Sequence, residues 1–372
     1  MLNADAPVVL LLHGGLDNLS GKTGLAMLRY RRGPIVAVVD PRHAGQPLAA
    51  VTGIDRDVPV VASMAEALPL VEARLRQTGP AGEEPAVAVV GLAPSGGRLP
   101  PELHGDLATA LQAGLSVASG LHSRVGQDPS LAGLVQPGRW IWDLRREPGD
   151  PVVGCAAAAA LPCRRILAVG SDMAVGKMSA CLELQAAARG RGLDARFVGT
   201  GQAGILIAGT GVALDAVRVD YAAGAVERAV LEVGAGAGPE ALLLVEGQGS
   251  LCHPGSSATL PLLRGSQPTD LLLVHRAGQQ TIRNHDAVPV PPLGQLIAAV
   301  EALAALGRPA GSGPAPMVRA VALNTAGLPV SAAAEAIAAT AAATGLPCDD
   351  PVRHGGHGLL EAMLRAVVPA GG

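Results

Sequence analysis

A chain of 372 residues is too long for one typical domain and suits two. Its formal net charge is −3 and it holds one Phe, two Tyr and two Trp, so it lacks both a basic stripe and the aromatic side chains that stack on bases, which argues against nucleic-acid binding. No secretory signal, membrane-spanning apolar stretch or metal-like cysteine spacing is evident, so we expect a cytoplasmic protein with no membrane partner.

The first 150 residues alternate short apolar runs with stretches of helical spacing. The apolar runs predict strands at 8–12, 35–39, 58–62, 86–92 and 117–119. Helical spacing predicts helices that end near Tyr30 or span 63–77 and 103–113. Strands that alternate with helices are typical of a mostly parallel sheet. We therefore predict an α/β, Rossmann-like N-terminal domain over residues 1–150. We interpret the arginine-rich stretch 139–146, which holds both tryptophans, as a structural linker, with an interdomain seam or a contact with an anionic ligand as the alternatives.

A glycine-rich segment after the first strand is one candidate for a phosphate site. Gly15 is followed, after five residues, by Gly21-Lys22-Thr23. Asp40 ends the second strand, where the carboxylate of a dinucleotide fold meets a ribose. The three-glycine fingerprint of such folds is absent. We favour a structural domain in which Lys22 and Asp40 are surface or interface residues, and we keep cofactor binding as the alternative.

Residues 151–372 predict a second α/β domain, and a stretch rich in Pro and Ala at 147–163 marks the boundary. Apolar runs predict strands at 165–169, 195–198, 241–245, 271–274 and 319–323. Helices are predicted at 176–189, from about 224 onward, and at 294–306, 332–343 and 358–367. This order favours a doubly wound parallel sheet of the P-loop NTPase type.

The most informative stretch runs from the strand at 165–169 through a glycine-bounded loop into a helix. Backbone N–H groups of such a loop, the helix N-terminus and a lysine together bind phosphates. The loop departs from the standard pattern because five residues, not four, separate Gly170 from Gly176, and because the hydroxyl falls at Ser179, one position late. The alternative is a glycine-rich turn with a solvated lysine. We predict that the ligand is bound by Gly170, Ser171, Asp172, Val175, Gly176, Lys177, Met178 and Ser179.

Polar residues follow several predicted strands of this domain, and ligands bind at the carboxyl ends of strands in an open parallel sheet. Glu246 ends the strand at 241–245, where a carboxylate can hold Mg²⁺ together with the Ser179 hydroxyl. His253 lies just beyond and is a candidate general base. The structural alternatives are a helix-capping acid and a hydrogen-bonded loop histidine. The predicted substrate-binding residues are Gly201, Gln202, Gly247, Gln248 and His275.

The loop sequence Gly170-Ser171-Asp172-Met173-Ala174-Val175-Gly176-Lys177 resembles the variant phosphate loop of dethiobiotin synthetase relatives and, more closely, that of the DgcN family. His275 and the segments 22–23, 28–30, 199–209, 246–254, 324–325 and 350–353 also resemble this family. The resemblance spans nearly the whole chain and implies a Rossmann-like domain followed by a P-loop domain. Members of the family include D-glutamate N-acetyltransferases that use acetyl-CoA, so this activity is implied by the resemblance and not by the spacing.

We consider three functional hypotheses. The first is an N-acetyltransferase that moves the acetyl group of acetyl-CoA to the amine of an amino acid, D-glutamate by resemblance, with Lys177, Glu246 and His253 as catalytic residues. The second is a Mg²⁺- and ATP-dependent ligase or kinase of the dethiobiotin synthetase type, in which Ser179 and Glu246 hold the metal. The third is a nucleotide-binding regulatory protein. We also expect a small-molecule substrate and a homo-oligomer.

Overall fold

A computed structural model describes residues 2–3, 5–78, 85–94 and 96–365. The chain divides into two compact units, Met1–Arg146 with Gln202–Ala213 and Glu147–Gly201 with Leu214–Gly372. Within the described ranges, no helix is long and apolar enough to cross a membrane. The end of the helix predicted at 358–367 lies outside the described residues.

The first unit is built on a six-stranded parallel sheet with strand order β3-β2-β1-β4-β5-β6. Its strands are β1 (Val8–Leu11), β2 (Ile35–Val39), β3 (Val60–Val61), β4 (Val87–Val90), β5 (Ser116–Ser119) and β6 (Ile141–Asp143). Its first helices are α1 (Lys22–Tyr30), α2 (Leu48–Thr52), α3 (Met64–Thr78), α4 (Glu102–Gln112) and α5 (Pro129–Ala132). The central strands β1 and β4 are fully buried, which explains why they consist of Val, Leu and Ala alone.

The edge strand β6 corrects the interpretation of residues 139–146 as a linker. Ile141 pairs with Val117 and Asp143 with Ser119, so this stretch extends the sheet by one strand. An edge strand pairs with only one neighbouring strand. Strand β6 is three residues long, and two of these residues are half-buried. It therefore lacks the apolar run that reveals a central strand.

The second unit has a parallel sheet with strand order β14-β13-β10-β7-β9-β8, and β11 and β12 form a separate antiparallel hairpin. The strands are β7 (Arg164–Gly170), β8 (Ala195–Val198), β9 (Leu242–Val245), β10 (Asp270–Arg276), β11 (Thr281–Ile282), β12 (His285–Pro289), β13 (Met317–Asn324) and β14 (Cys348–Asp349). The remaining helices of the chain are α6 (Lys177–Gly190), α7 (Gln202–Ala208), α8 (Val219–Gly234), α9 (Thr259–Ser266), α10 (Leu293–Ala305), α11 (Val330–Thr344), α12 (Pro351–His354) and α13 (His357–Leu364).

The central strand β7 lies where the chain changes direction across this sheet. The chain goes from β7 to β8 and β9 on one side, and then to β10 on the other side. Ligands of open α/β sheets bind outside the carboxyl ends of the strands at such a switch point. The loop after β7 occupies that position, which agrees with the predicted P-loop fold class.

Helix α8 begins at Val219, five residues before the predicted start near Gly224. Gly224 lies inside the helix, at a point where a side chain would overlap the Val152 carbonyl oxygen. The glycine is therefore required for close backbone packing, and it does not mark the start of the helix. The hairpin of β11 and β12 and the helix α9 have no counterpart among the predicted elements.

Candidate active site

The loop between β7 and α6 has the backbone shape of an anion-binding site. Three of its carbonyl groups accept hydrogen bonds from side chains: Asp172 from Lys177 Nζ (2.9 Å), Ala174 from Arg276 Nη2 (3.0 Å) and Val175 from Asn324 Nδ2 (2.9 Å). Ala174 and Gly176 have positive φ angles of 54° and 113°. Turns of this kind direct successive N–H groups into a concave nest, and the first N–H groups of α6 have no partner within the helix.

Lys177 is the first residue of α6 and is only 7% exposed. Its side chain lies against two glycines. A side chain at Gly170 would come within 2.8 Å of Nζ, and one at Gly247 would come within 2.8 Å of the lysine Cδ and overlap the Ala168 carbonyl oxygen. Burial lowers the pKa of Lys177 to about 8, and the nearby Asp172 and Glu246 carboxylates oppose this change. With a pKa of about 8, the Lys177 side chain is mostly protonated at pH 7 and can bind an anion.

Glu246 directly follows β9 and is 4% exposed. Its Oε2 accepts hydrogen bonds from the backbone N–H groups of Thr200 (2.8 Å) and Gly201 (3.1 Å). Burial raises the pKa of Glu246 to about 7, and these N–H groups, Lys177 and the Gln248 side chain lower it in part. A carboxyl group with this pKa can exchange a proton near neutral pH.

The residues that neighbour Glu246 support its position. The Thr200 hydroxyl donates to the Glu246 carbonyl (2.7 Å). A side chain at Gly201 would come within 2.5 Å of Gln248 Nε2, so Gly201 leaves room for the Gln248 amide. The structure therefore brings Lys177, Glu246, Gly247 and Gln248 together, as the strand-end argument predicts for parallel strands.

His253 lies in the loop that follows Glu246 and is 8% exposed. Its Nδ1 accepts a hydrogen bond from the Gly255 N–H (3.0 Å). A neutral imidazole with a lone pair on Nδ1 carries its proton on Nε2. While this bond is present, neither ring nitrogen can take a proton from a substrate, so a base role for His253 requires the bond to break.

His275 is buried near the end of β10, where its Nδ1 lies 2.8 Å from the Ser171 Oγ of the phosphate loop. Burial lowers the pKa of His275, so the imidazole is neutral at pH 7. The contact with His275 therefore orients the Ser171 hydroxyl. Both residues belong to the predicted site.

The predicted metal ligands Ser179 and Glu246 differ in burial, since Glu246 is buried and Ser179 is only half-buried. Ser179 is half-buried and is the third residue of α6, two positions after Lys177. Successive helical residues point about 100° apart, so Ser179 is displaced from the position after the lysine, which Met178 occupies. Within the described part of the chain, no group of three or more His, Cys, Asp or Glu residues could hold a metal ion. A role for Ser179 and Glu246 on Mg²⁺ stays a prediction.

Asp172 is bound to the hairpin, a contact that the sequence does not reveal. Its Oδ2 accepts hydrogen bonds from Gln279 Nε2 (2.5 Å) and from the Arg283 N–H (2.7 Å), and its Oδ1 accepts one from the Met173 N–H (2.6 Å). Gln279 and Arg283 are absent from the predicted site, whereas Arg276 belongs to the polar pair His275-Arg276 that the sequence places at a strand end of the site. The only sequence signal for Gln279 and Arg283 is the run of polar residues after β10.

Gln202 starts α7, which packs against α1 in the first unit. A side chain at Gly120 would overlap Gln202 Oε1, so the amide lies directly against this glycine. Gln202 Oε1 is buried without a hydrogen-bond partner within the described residues. The predicted substrate role of Gln202 stays a prediction.

In the glycine-rich segment after β1, backbone atoms of the segment pack closely against each other. A side chain at Gly21 would overlap the Gly15 carbonyl oxygen. The fully buried Asp40 accepts hydrogen bonds from the N–H groups of Gly14 (2.8 Å), Leu16 (3.3 Å) and Arg42 (3.0 Å). These contacts give the glycines and Asp40 a structural role. The prediction that Asp40 is a surface or interface residue is wrong, because its side chain is fully buried, whereas Lys22 is exposed.

The two units match two family models. Residues 152–360 match the P-loop domain described as domain of unknown function DUF1611, and residues 41–147 match its Rossmann-like N-terminal domain. The chain belongs to the DUF1611 family. These matches, together with the relatives below, confirm the resemblance found from the phosphate loop and the Glu246 segment.

Several relatives of this DUF1611 chain are known. A D-glutamate N-acetyltransferase from Tritonibacter scottomollicae is 34% identical over 300 residues, which cover 80% of this chain and 86% of that protein. A D-glutamate N-acetyltransferase from a Pseudoalteromonas species is 32% identical over 269 residues, or 72% of this chain and 78% of that protein. The crystal structure of a DUF1611 family protein from Anabaena variabilis is 50% identical, with a TM-score of 0.86 over 97% of this chain and 100% of that one.

Proposed function

We propose that this chain is an N-acetyltransferase that transfers the acetyl group of acetyl-CoA to the amine of D-glutamate. One observation carries the proposal: the buried Glu246 carboxylate, with a pKa of about 7, interacts electrostatically with Lys177 of an anion-binding loop. A base that titrates near pH 7 beside a phosphate site suits acyl transfer from a phosphate-bearing donor to an amine. The names of two relatives supply the acceptor.

The donor set of the loop fits the phosphates of CoA. Lys177 Nζ uses one of its three hydrogens on the Asp172 carbonyl, which leaves two for a ligand. The loop N–H groups and the N-terminus of α6 add further donors and positive potential. We assign these groups to the pyrophosphate of CoA. When bound, a CoA thioester supplies an activated acetyl group.

Glu246 takes the proton that the acceptor must lose. The amine of an amino acid is an ammonium group at neutral pH and attacks only after it is deprotonated. On forming the amide, the nitrogen loses two protons as its new bond to the acetyl carbon replaces the C–S bond: Glu246 accepts one proton, and the thiolate leaving group takes up the other and is released as free CoA thiol. Because His253 Nδ1 is occupied by the Gly255 N–H, we assign the base role to Glu246 and not to His253. Lys177 stabilises negative charge that develops next to the loop.

Calorimetry on the purified protein tests the choice of donor. We expect tight binding of acetyl-CoA and CoA, and weaker binding of ATP with or without Mg²⁺. Met178 replaces the hydroxyl that holds Mg²⁺ in the standard loop, which is the reason for this order. Tight binding of Mg²⁺–ATP without binding of CoA would overturn the proposal in favour of a ligase or kinase.

A further inference from the structure

The hairpin of β11 and β12 follows β10 at the carboxyl edge of the second sheet. Its turn consists of Arg283 and Asn284, between the paired Ile282 and His285, and Asn284 has a positive φ of 64°. A two-stranded hairpin is only marginally stable by itself in water. Its position therefore depends on contacts with the rest of the unit.

The first anchor of the hairpin is Asp172 of the phosphate loop. A carboxylate in an anion-binding loop opposes phosphate binding unless other donors satisfy its charge. Asp172 is fully buried, and its Oδ2 binds Gln279 Nε2 and the Arg283 N–H. Gln279 Nε2 also donates to the Thr281 carbonyl (3.0 Å), which ties the same amide to the first hairpin strand. Asp172 therefore fixes the backbone of Arg283 at the phosphate loop.

The second anchor is a contact between two histidine rings. The His285 ring meets the His253 ring edge-on, with centroids 4.9 Å apart and an angle of 89° between the planes. His253 belongs to the loop that follows Glu246. The hairpin thus contacts both the loop after β7 and the loop after β9, which carry the proposed donor site and the proposed base.

Arg283 is the turn residue that these anchors place beside the site. Its side chain is exposed, and within the described residues its guanidinium has no hydrogen-bond or ion-pair partner. The neighbouring cations differ from it, because Lys177 and Arg276 each donate to a carbonyl of the phosphate loop. The Arg283 backbone is therefore fixed by a hydrogen bond, while its guanidinium pairs with no group of the described residues and can bind a ligand.

We propose that Arg283 is a specificity-determining residue that binds the side-chain carboxylate of an acidic amino-acid acceptor, and that Asp172 is the positioning residue that holds it there. This inference rests on the proposed function. Guanidinium groups bind carboxylates with two parallel hydrogen bonds, which an uncharged side-chain amide does not match. The acceptor would then meet Glu246 with its ammonium group and Arg283 with its distal carboxylate.

Calorimetry in the presence of CoA, followed by kinetics, tests this assignment. We would titrate D-glutamate and D-glutamine into the wild type, Arg283→Ala, Arg283→Lys and Gln279→Leu. The control is Arg264→Ala, which removes an exposed arginine from the last turn of α9. We expect Arg283→Ala to weaken D-glutamate binding about 10- to 100-fold, the range of one charge-assisted hydrogen-bonding group, and to leave acetyl-CoA binding within about twofold. The preference for D-glutamate over D-glutamine should fall by a similar factor.

The other variants separate the two parts of the inference. Arg283→Lys should restore part of the affinity, because it keeps the charge and loses the bidentate geometry. Gln279→Leu removes one of the two donors to Asp172 Oδ2 and should raise the KM for D-glutamate more than it lowers kcat. Unchanged D-glutamate affinity in Arg283→Ala, or a loss confined to acetyl-CoA, would overturn the assignment. If the wild type binds D-glutamate through Arg283 but acetylates nothing, the assignment stands and the proposed acetyl transfer fails.

Discussion

Thr200 donates two hydrogen bonds to Glu246, one to its side chain and one to its backbone. The Thr200 N–H donates to Glu246 Oε2 (2.8 Å), and the Thr200 hydroxyl donates to the Glu246 carbonyl (2.7 Å). The pair links the ends of the neighbouring strands β8 and β9. It fixes a buried carboxylate through backbone donors that no side-chain substitution can remove, so the role of Glu246 can be tested without disturbing its position.

Glu246→Gln should lower kcat by about 10²- to 10⁴-fold, the usual range for loss of a general base. Glutamine keeps an oxygen that can accept the N–H groups of Thr200 and Gly201, so the fold should be retained. Steady-state kinetics against pH provide the check. The wild-type kcat/KM should rise through a pKa of about 7, and this limb should vanish in the variant. A variant that keeps the limb would assign the base to another residue.

The same substitution should change how stability depends on pH. The pKa of Glu246 is raised from 4.5 in the unfolded chain to about 7 in the folded protein, so its contribution to stability is fully present below 4.5 and is lost as pH rises through 7. The loss is up to about 3 kcal/mol. Thermal unfolding of wild type and Glu246→Gln between pH 5 and 7.5 should therefore show a growing advantage for the variant. A constant difference in Tm would show that Glu246 does not titrate in this range.

Lys177→Met should weaken acetyl-CoA binding at least about 100-fold, because it removes a buried cation and keeps the volume of the stem. Lys22→Met is the matched control, since Lys22 is an exposed lysine after the other glycine-rich segment. Calorimetry on both variants distinguishes the two loops. Weakened binding in Lys22→Met, with Lys177→Met unaffected, would place the donor in the first unit.

Gly247→Ala should destabilise the second unit by about 1–3 kcal/mol or displace Lys177, because its methyl group would overlap the Ala168 carbonyl oxygen and press on the lysine stem. Gly294→Ala in α10 is the control, as an added methyl group there meets no atom within 4 Å. Chemical denaturation and acetyl-CoA titration measure the two effects. Equal behaviour of both variants would show that the close approach at Gly247 is not required.

The sequence predicts well those features that depend on local pattern. Buried parallel strands are apolar runs, so β7 and β9 are found directly, together with the loop that starts at Gly170 and the acid at Glu246. Contacts between distant residues leave no such trace. The hydrogen bond between Asp172 and Arg283 joins residues 111 positions apart. In the sequence Gly224 resembles a helix boundary, and only the structure shows that it packs against the Val152 carbonyl.

Direct detection of the product tests whether this chain acetylates D-glutamate. The purified protein would be incubated with acetyl-CoA and either D- or L-glutamate, and the mixture analysed by chiral chromatography and mass spectrometry, with Glu246→Gln as the inactive control. We expect the wild type to form N-acetyl-D-glutamate and an equal amount of free CoA thiol, and the variant to form at least about 100-fold less of both. Absence of acetylated product, or equal formation by the variant, would contradict this expectation.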